Sequence, residues 1–173
     1  MISKRLKRYF INRKISTALK ADRSGDSLAP LKTIGVLVNS KEFDRSEAFL
    51  SLIDTLEILN KDLKIITFVK EEKSVPAFQQ NYFTAKDVTW KGVIKKPEIV
   101  EFVNRSYDVF IGYYSQGDQH LDLLSAQINA PIKIGLKGVD ERIFDLLFKI
   151  QPQDYAVFES ELKKYLTILN QNR

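Results

Sequence analysis

The chain has no cysteine, one histidine, one tryptophan and one methionine, and its first twenty residues contain no acidic side chain. Without cysteine there can be no disulfide, thiolate metal site or cysteine nucleophile, which suits a reducing compartment. One histidine cannot supply a two-histidine helical metal motif, so no metal site is expected. No apolar run approaches the ~20 residues of a membrane span. The basic start is not followed by an apolar stretch of the roughly 7–15 residues found in secretory signals. A cytoplasmic location is expected. Glycine is scarce where nucleotides would need it. After the first apolar run the chain reads Val38-Asn39-Ser40-Lys41-Glu42-Phe43-Asp44, with neither GxGxxG nor GxxxxGK[ST]. A backbone bearing side chains there cannot approach a diphosphate closely. Dinucleotide or NTP binding in the usual modes is therefore not expected, and no cofactor is implied.

What the chain does have is a sharp charge asymmetry. Seven of the first twenty residues are basic (Lys4, Arg5, Lys7, Arg8, Arg13, Lys14, Lys20), whereas the other 153 carry 20 basic and 22 acidic side chains. The net charge of +5 is thus owed to a short N-terminal arm. Such an arm is suited to an anionic partner, either nucleic acid or a lipid surface. With 44% apolar residues and eleven phenylalanines, the remainder can bury a proper core.

Residues 3–20 hold good helix formers and neither Gly nor Pro. Residues 21–32 are a linker by their Ser, Gly, Asp and Pro content, which leaves 33–173 as one domain. Thr33–Val38 is a continuous apolar run of strand length, as expected for a strand covered on both faces. Arg45–Leu59 follows as a helix, with Phe49, Leu52, Ile53, Leu56 and Leu59 on one side. Leu63–Val69 is the second strand, and strand–helix–strand at this spacing marks a βαβ unit. Residues 71–95 form a long connection with a short extended piece. Pro97–Asn104 is a short helix, Asp108–Tyr113 a strand, 120–128 a helix and Ile132–Leu136 a strand. Phe144–Ile150 is a fifth strand or a helix, and Tyr155–Leu169 a closing helix. The expected fold is α/β: a Rossmann-like, doubly wound, mainly parallel sheet of four to five strands with a basic N-terminal helix.

On a helical wheel the arm has no single apolar face. Ile2, Leu6, Tyr9 and Phe10 fall between about 180° and 280°, but Ile11, Ile15, Ala18 and Leu19 between about 0° and 100°. A helix lying straight in a lipid interface needs one persistent apolar stripe, although a break near Asn12 would give two short amphipathic pieces. A helix ringed by cations suits folded RNA, whose phosphates approach from several sides. The candidate RNA-binding residues are Lys4, Arg5, Lys7, Arg8, Arg13 and Lys14, with Tyr9 and Phe10 to pack or to stack on bases at roughly 1–3 kcal/mol each. RNA, with the ribosome as its prime case, is the expected partner; a membrane surface or an acidic protein is the alternative, and the plainest reading is a solvated basic arm that packs its few apolar residues on the domain. The arm's bases must remain unpartnered within the protein for any of these.

A small enzyme or ligand binder is the competing class. In an open parallel sheet, ligands bind beyond the carboxyl ends of the strands. The loops Asn39–Asp44, Ser115–His120 and Lys137–Arg142 would meet there. His120 is the candidate general base, oriented by Asp118 or Asp122. The plainer alternative makes Asp118 an N-cap and His120 a first-turn helix residue. Asp140, Glu141 and Arg142 offer paired carboxylates beside a guanidinium, or else a solvated turn whose charges neutralise one another. Trp90, Tyr82 and Phe83 form an exposed platform or close the edge of the core.

Several segments are similar to a family of uncharacterised proteins from Bacteroidetes-type bacteria, known only as a domain of unknown function. They are KRLKRYFINRKI, KTIGVLVN with Phe43-Asp44 behind it, Tyr82-Phe83 followed by Trp90, YDVFI with a tyrosine pair, Lys133-Ile134-Gly135, Gly138-Val139-Asp140-Glu141-Arg142 and ELKKYLTIL. The resemblance spans nearly the whole chain and implies a compact α/β protein without an assigned activity. Residues 107–136 also resemble, at the level of fold, the acceptor-side half of heptosyltransferase-like glycosyltransferases. The nucleotide-sugar half of such enzymes has no counterpart in this chain.

Overall fold

The apolar run after the linker forms the central strand β1 (Ile34–Asn39), buried at every position. A computed structural model describes residues 4–22, 30–71, 75 and 81–172. Five further strands join β1: β2 (Leu63–Phe68), β3 (Tyr82–Phe83), β4 (Val109–Tyr113), β5 (Ile132–Leu136) and β6 (Leu146–Phe148). Their order is β3-β2-β1-β4-β5-β6 and every pairing is parallel. The sheet is therefore Rossmann-like, with six strands rather than four to five. The additional strand is β3, whose two residues pair only Thr67 with Tyr82 and Phe68 with Phe83. Two residues carry no periodicity to read. The ambiguous run at 144–150 contains β6.

Among the described residues five helices cover the sheet: α1 (Lys4–Ala18), α2 (Ser51–Thr55), α3 (Pro97–Asn104), α4 (Gln119–Gln127) and α5 (Tyr155–Gln171). The expected helix at 45–59 is shorter than its apolar spacing implied. A 3-10 segment at Ser46–Leu50 leads into α2, and Glu57 in the left-handed region (φ 55°) stops it. Side chains alternate across β1 with the period of a strand. Val36 and Val38 join the core under α2 and α5, while Leu37 joins the core under α1, α3 and α4. The path leaves β1 towards β2 and later β4 on opposite sides. Crossovers of one hand then place their helices on opposite faces.

Helix α1 belongs to this second core. Ile11 and Ile15 are buried in it, with Ala18 and Leu19 packed at its edge. Burying each isoleucine contributes roughly 1.5–3 kcal/mol. Packing thus selects the apolar stripe of the second half of the helix. Leu6 and Tyr9, from the other stripe, are left exposed. The expected linker falls largely on residues 23–29, outside the described residues, as do 72–74 and 76–80 of the long connection.

Two local devices hold the sheet to its helices. Phe144 lies across Gly112 of β4 and Gly135 of β5, where an added Cβ would come within 2.6 and 2.9 Å of its ring. Only glycine admits a ring so close to the backbone. Lys133 of β5, 2% exposed, sends its ammonium to the carbonyls of Ser125 (2.7 Å) and Ala126 (3.3 Å). It thereby satisfies acceptors at the C-terminal end of α4, where positive charge is favoured. No helix among the described residues is long and apolar enough to cross a membrane.

Candidate functional site

The switch of direction at β1 opens a crevice beyond the carboxyl ends of β1 and β4, the usual ligand position in such sheets. Here Glu42 bridges the loops after β1 and β4, and a cavity of about 330 Å³ remains beside Ser115, Lys137, Lys149, Ile150 and Gln151. Glu42, from the loop after β1, accepts the backbone N–H of Ser115 (2.8 Å), the Ser115 hydroxyl and the backbone N–H of Gln116 (3.2 Å). It also accepts the side-chain amide of Asn39 (2.9 Å). Below it Phe43 stacks on Tyr155 (centroids 5.6 Å apart) and meets Tyr113 edge-on (5.2 Å). A carboxylate thus takes the backbone donors that an anionic ligand would use. Nothing in the local sequence signalled this role for Glu42, because Ser115 and Gln116 lie 73 and 74 residues away.

The strand-end candidates divide. Asp118 is the N-cap of α4, accepting from the His120 backbone N–H (2.7 Å), and also contacts His120 Nδ1 (3.0 Å). Burial pulls the Asp118 carboxyl upward, but the hydrogen bonds from the His120 ring and backbone outweigh it and its pKa is lowered. His120 itself is 6% exposed and stacks against Phe68 (6.0 Å) in the core. Its placement matches the plainer of the two expectations. Asp140 holds Arg142 with two bonds, to Nε (2.9 Å) and Nη2 (2.6 Å), and the guanidinium lowers its pKa. Glu141 is exposed. Asp122, weighed from sequence only as an orienter of His120, instead receives the buried Tyr114 hydroxyl at 3.2 Å. Burial pushes its pKa up to about 6; the Tyr114 bond opposes this, and the charges of Asp140 and Asp118 add to it. Among the described residues no group of histidine and carboxylates is arranged to hold a metal ion.

The solvent side of α1 is different. Lys4, Arg5, Arg8, Arg13 and Lys14 are exposed and Lys7 half-buried. The first two turns contain no buried residue. Among the described residues the ion pairs are Asp118–His120, Asp140–Arg142 and Glu161–Lys164, so none involves α1. The two aromatic candidates part company. Phe10 meets Trp90 edge-on (5.1 Å), whereas Tyr9 is 59% exposed. Trp90 closes the edge of the helix rather than standing free, and Lys91 Nζ lies 5.1 Å from the centre of its ring. Between α1 and the turn at 91–93 runs a groove of about 520 Å³, whose lining includes Phe10, Arg13, Lys14, Lys91, Val93 and Gln127. Sequence reasoning missed Lys91, Val93 and Gln127, which are distant in the chain and unremarkable in type.

Strand order, parallel pairing and two helical layers define a Rossmann-like α/β protein in which Glu42 ties together the loops after β1 and β4, where such sheets bind ligands. Residues 7–169 match the model of a family of unknown function, DUF6913, and the chain belongs to that family. No curated protein and no solved structure matches it. The likeness to heptosyltransferase-like enzymes therefore rests on residues 107–136 alone.

Proposed function

We propose that this protein is a non-enzymatic RNA-binding protein, ribosome-associated in its most natural setting, with α1 as the anchor. One observation carries the proposal: a helix fixed to the domain by Ile11 and Ile15 exposes cations that no carboxylate neutralises among the described residues. A preorganised cationic surface loses little conformational entropy when phosphates replace its counterions. Its first two turns are open around most of their circumference, which suits folded RNA presenting phosphates from several directions. The membrane alternative has less support, because α1 spends the apolar stripe of its second half on the domain. Interfacial binding requires that kind of stripe to be free.

The test is co-sedimentation with ribosomes on a gradient. The intact chain is compared with a variant in which Lys4, Arg5, Lys7, Arg8, Arg13 and Lys14 are replaced by glutamine. Deletion of residues 1–20 is a poor comparison, since it removes Ile11 and Ile15 from the core. Co-migration of the intact chain and its loss in the variant are expected. An intact chain that stays at the top of the gradient at low salt overturns the proposal.

A second reading is a small-ligand site at the strand ends, favoured only by the raised pKa of Asp122 beside Asp118, Asp140 and Arg142. The internal pairing of Asp140 with Arg142 and of Asp118 with His120 counts against it.

A further inference from the structure

We propose that the groove between α1 and the turn at 91–93 seats an unstacked base of single-stranded RNA, with Arg13, Lys14 and Lys91 holding the phosphates on either side. The inference rests on the RNA reading and narrows it, from RNA in general to RNA whose bases are free to leave the stack.

The lining has the composition such a ligand requires. Phe10, Ala18 and Val93 supply an apolar floor, and Val93 is 47% exposed although nothing else on the turn demands an apolar side chain there. Three cations line the groove with this floor, and among the described residues no carboxylate does. An apolar floor alone would suit many ligands; an apolar floor ringed by unneutralised positive charge suits a flat, weakly polar group attached to anions. A nucleotide has that construction. The remaining lining is able to read a base edge. Thr17 donates its hydroxyl to the Arg13 carbonyl, which leaves its oxygen free to accept. Gln127, from the last turn of α4, has a buried amide nitrogen without a hydrogen-bond partner among the described residues. An unmet buried donor is unfavourable, and an acceptor on a ligand would relieve it.

Geometry also argues for single strands. In a duplex both faces of a base are covered by its neighbours, so only the backbone could reach the cations and the floor would stay empty. In a single strand a base can swing onto Phe10 and Val93 while the flanking phosphates meet Arg13 on one side and Lys14 or Lys91 on the other. The groove would then add a contact that the outward cations of α1 cannot make.

The test uses the full chain and a fluorescein-labelled mixed-sequence RNA of twelve nucleotides, single-stranded or annealed to its complement, in an anisotropy titration. Single-stranded RNA should bind about tenfold more tightly than the duplex, within what stacking one base supplies. Val93→Asp places a carboxylate in the groove beside Arg13 and Lys14; it should weaken both RNAs but cost the single strand about tenfold more than the duplex, which removes that preference. Thr17→Glu, at an exposed helical position, should do the same and serves if Val93→Asp does not fold. Equal binding of both RNAs, or a variant that weakens both alike, overturns the groove inference and leaves the RNA reading standing. If neither RNA binds, the RNA reading itself fails. Saturable binding to phosphatidylglycerol vesicles that Val93→Asp abolishes, in place of RNA binding, would assign the groove to a lipid and overturn the inference.

Discussion

Glu42 at the end of β1 and Arg13 on α1 are both charged, and each stands where a ligand could reach it. Glu42 is bound by Ser115, Gln116 and Asn39 of its own chain. Arg13 has no carboxylate partner among the described residues. The same contrast holds for the surroundings of each. Near the carboxyl edge of the sheet Asp118, Asp140 and Tyr114 are all engaged, and even Tyr155 is bonded to Ser51 (3.1 Å) with a pKa pushed up to about 12, chiefly by burial. On α1 the side chains buried among the described residues are the apolar Ile11 and Ile15. A Rossmann-like sheet can thus tie up its charged groups in structural bonds at the edge where such sheets bind ligands. Unsatisfied charge has moved to a helix on one face, and unsatisfied charge marks where a partner adds free energy.

The comparison can be broken in four places. The largest effect is expected for glutamine at Lys4, Arg5, Lys7, Arg8, Arg13 and Lys14 together. RNA affinity should fall on the order of 10³-fold at low salt, with the thermal midpoint little changed, as read by anisotropy and calorimetry. Ile11→Ala removes one of the two isoleucines that dock α1. It should lower unfolding stability by about 2–4 kcal/mol in a urea titration and also weaken RNA binding, because the cations lose their fixed framework. Glu42→Ala orphans the donors of Ser115 and Gln116 and should cost about 2–3 kcal/mol. RNA affinity should not change, since the crevice has no part in it.

The smallest effect is a pH dependence. Asp122 has a folded pKa of about 6, above its ordinary 3.8, so the folded state holds this proton more tightly than the unfolded chain. Its favourable contribution is complete below about pH 4 and is lost as pH rises through 6. Asp122→Asn keeps an acceptor for the Tyr114 hydroxyl. It should raise stability at pH 7 by about 1 kcal/mol, an allowance for partial solvation included, and flatten the profile between about pH 4 and 6. Denaturant midpoints at three pH values would read it.

Most of the fold was legible because buried parallel strands read as apolar runs. The runs at 33–38, 63–69, 108–113 and 132–136 all lie within a residue of β1, β2, β4 and β5 at either end. Pro97 marked the start of α3 and Asp118 the cap of α4. β3 was legible only as a short extended piece somewhere in 71–95, since its position is set by pairing with Thr67 and Phe68 rather than by its own residues. Packing of α1 on the domain was one alternative the sequence offered, but the stripe that docks was not legible. Two apolar stripes competed on the wheel, and only the shape of α4 and the turn at 89–94 selects Ile11 and Ile15. Of the sites, the exposed cations followed from composition alone. Glu42 and the groove did not, because each is assembled from segments far apart in the chain.

The central claim is that α1 is a preorganised cationic surface for RNA, and its most direct test is the salt dependence of affinity for folded ribosomal RNA. With about six phosphate contacts the slope of log K against log salt should lie near −5 between about 50 and 200 mM. A flat slope, or no binding at about 50 mM, would contradict it.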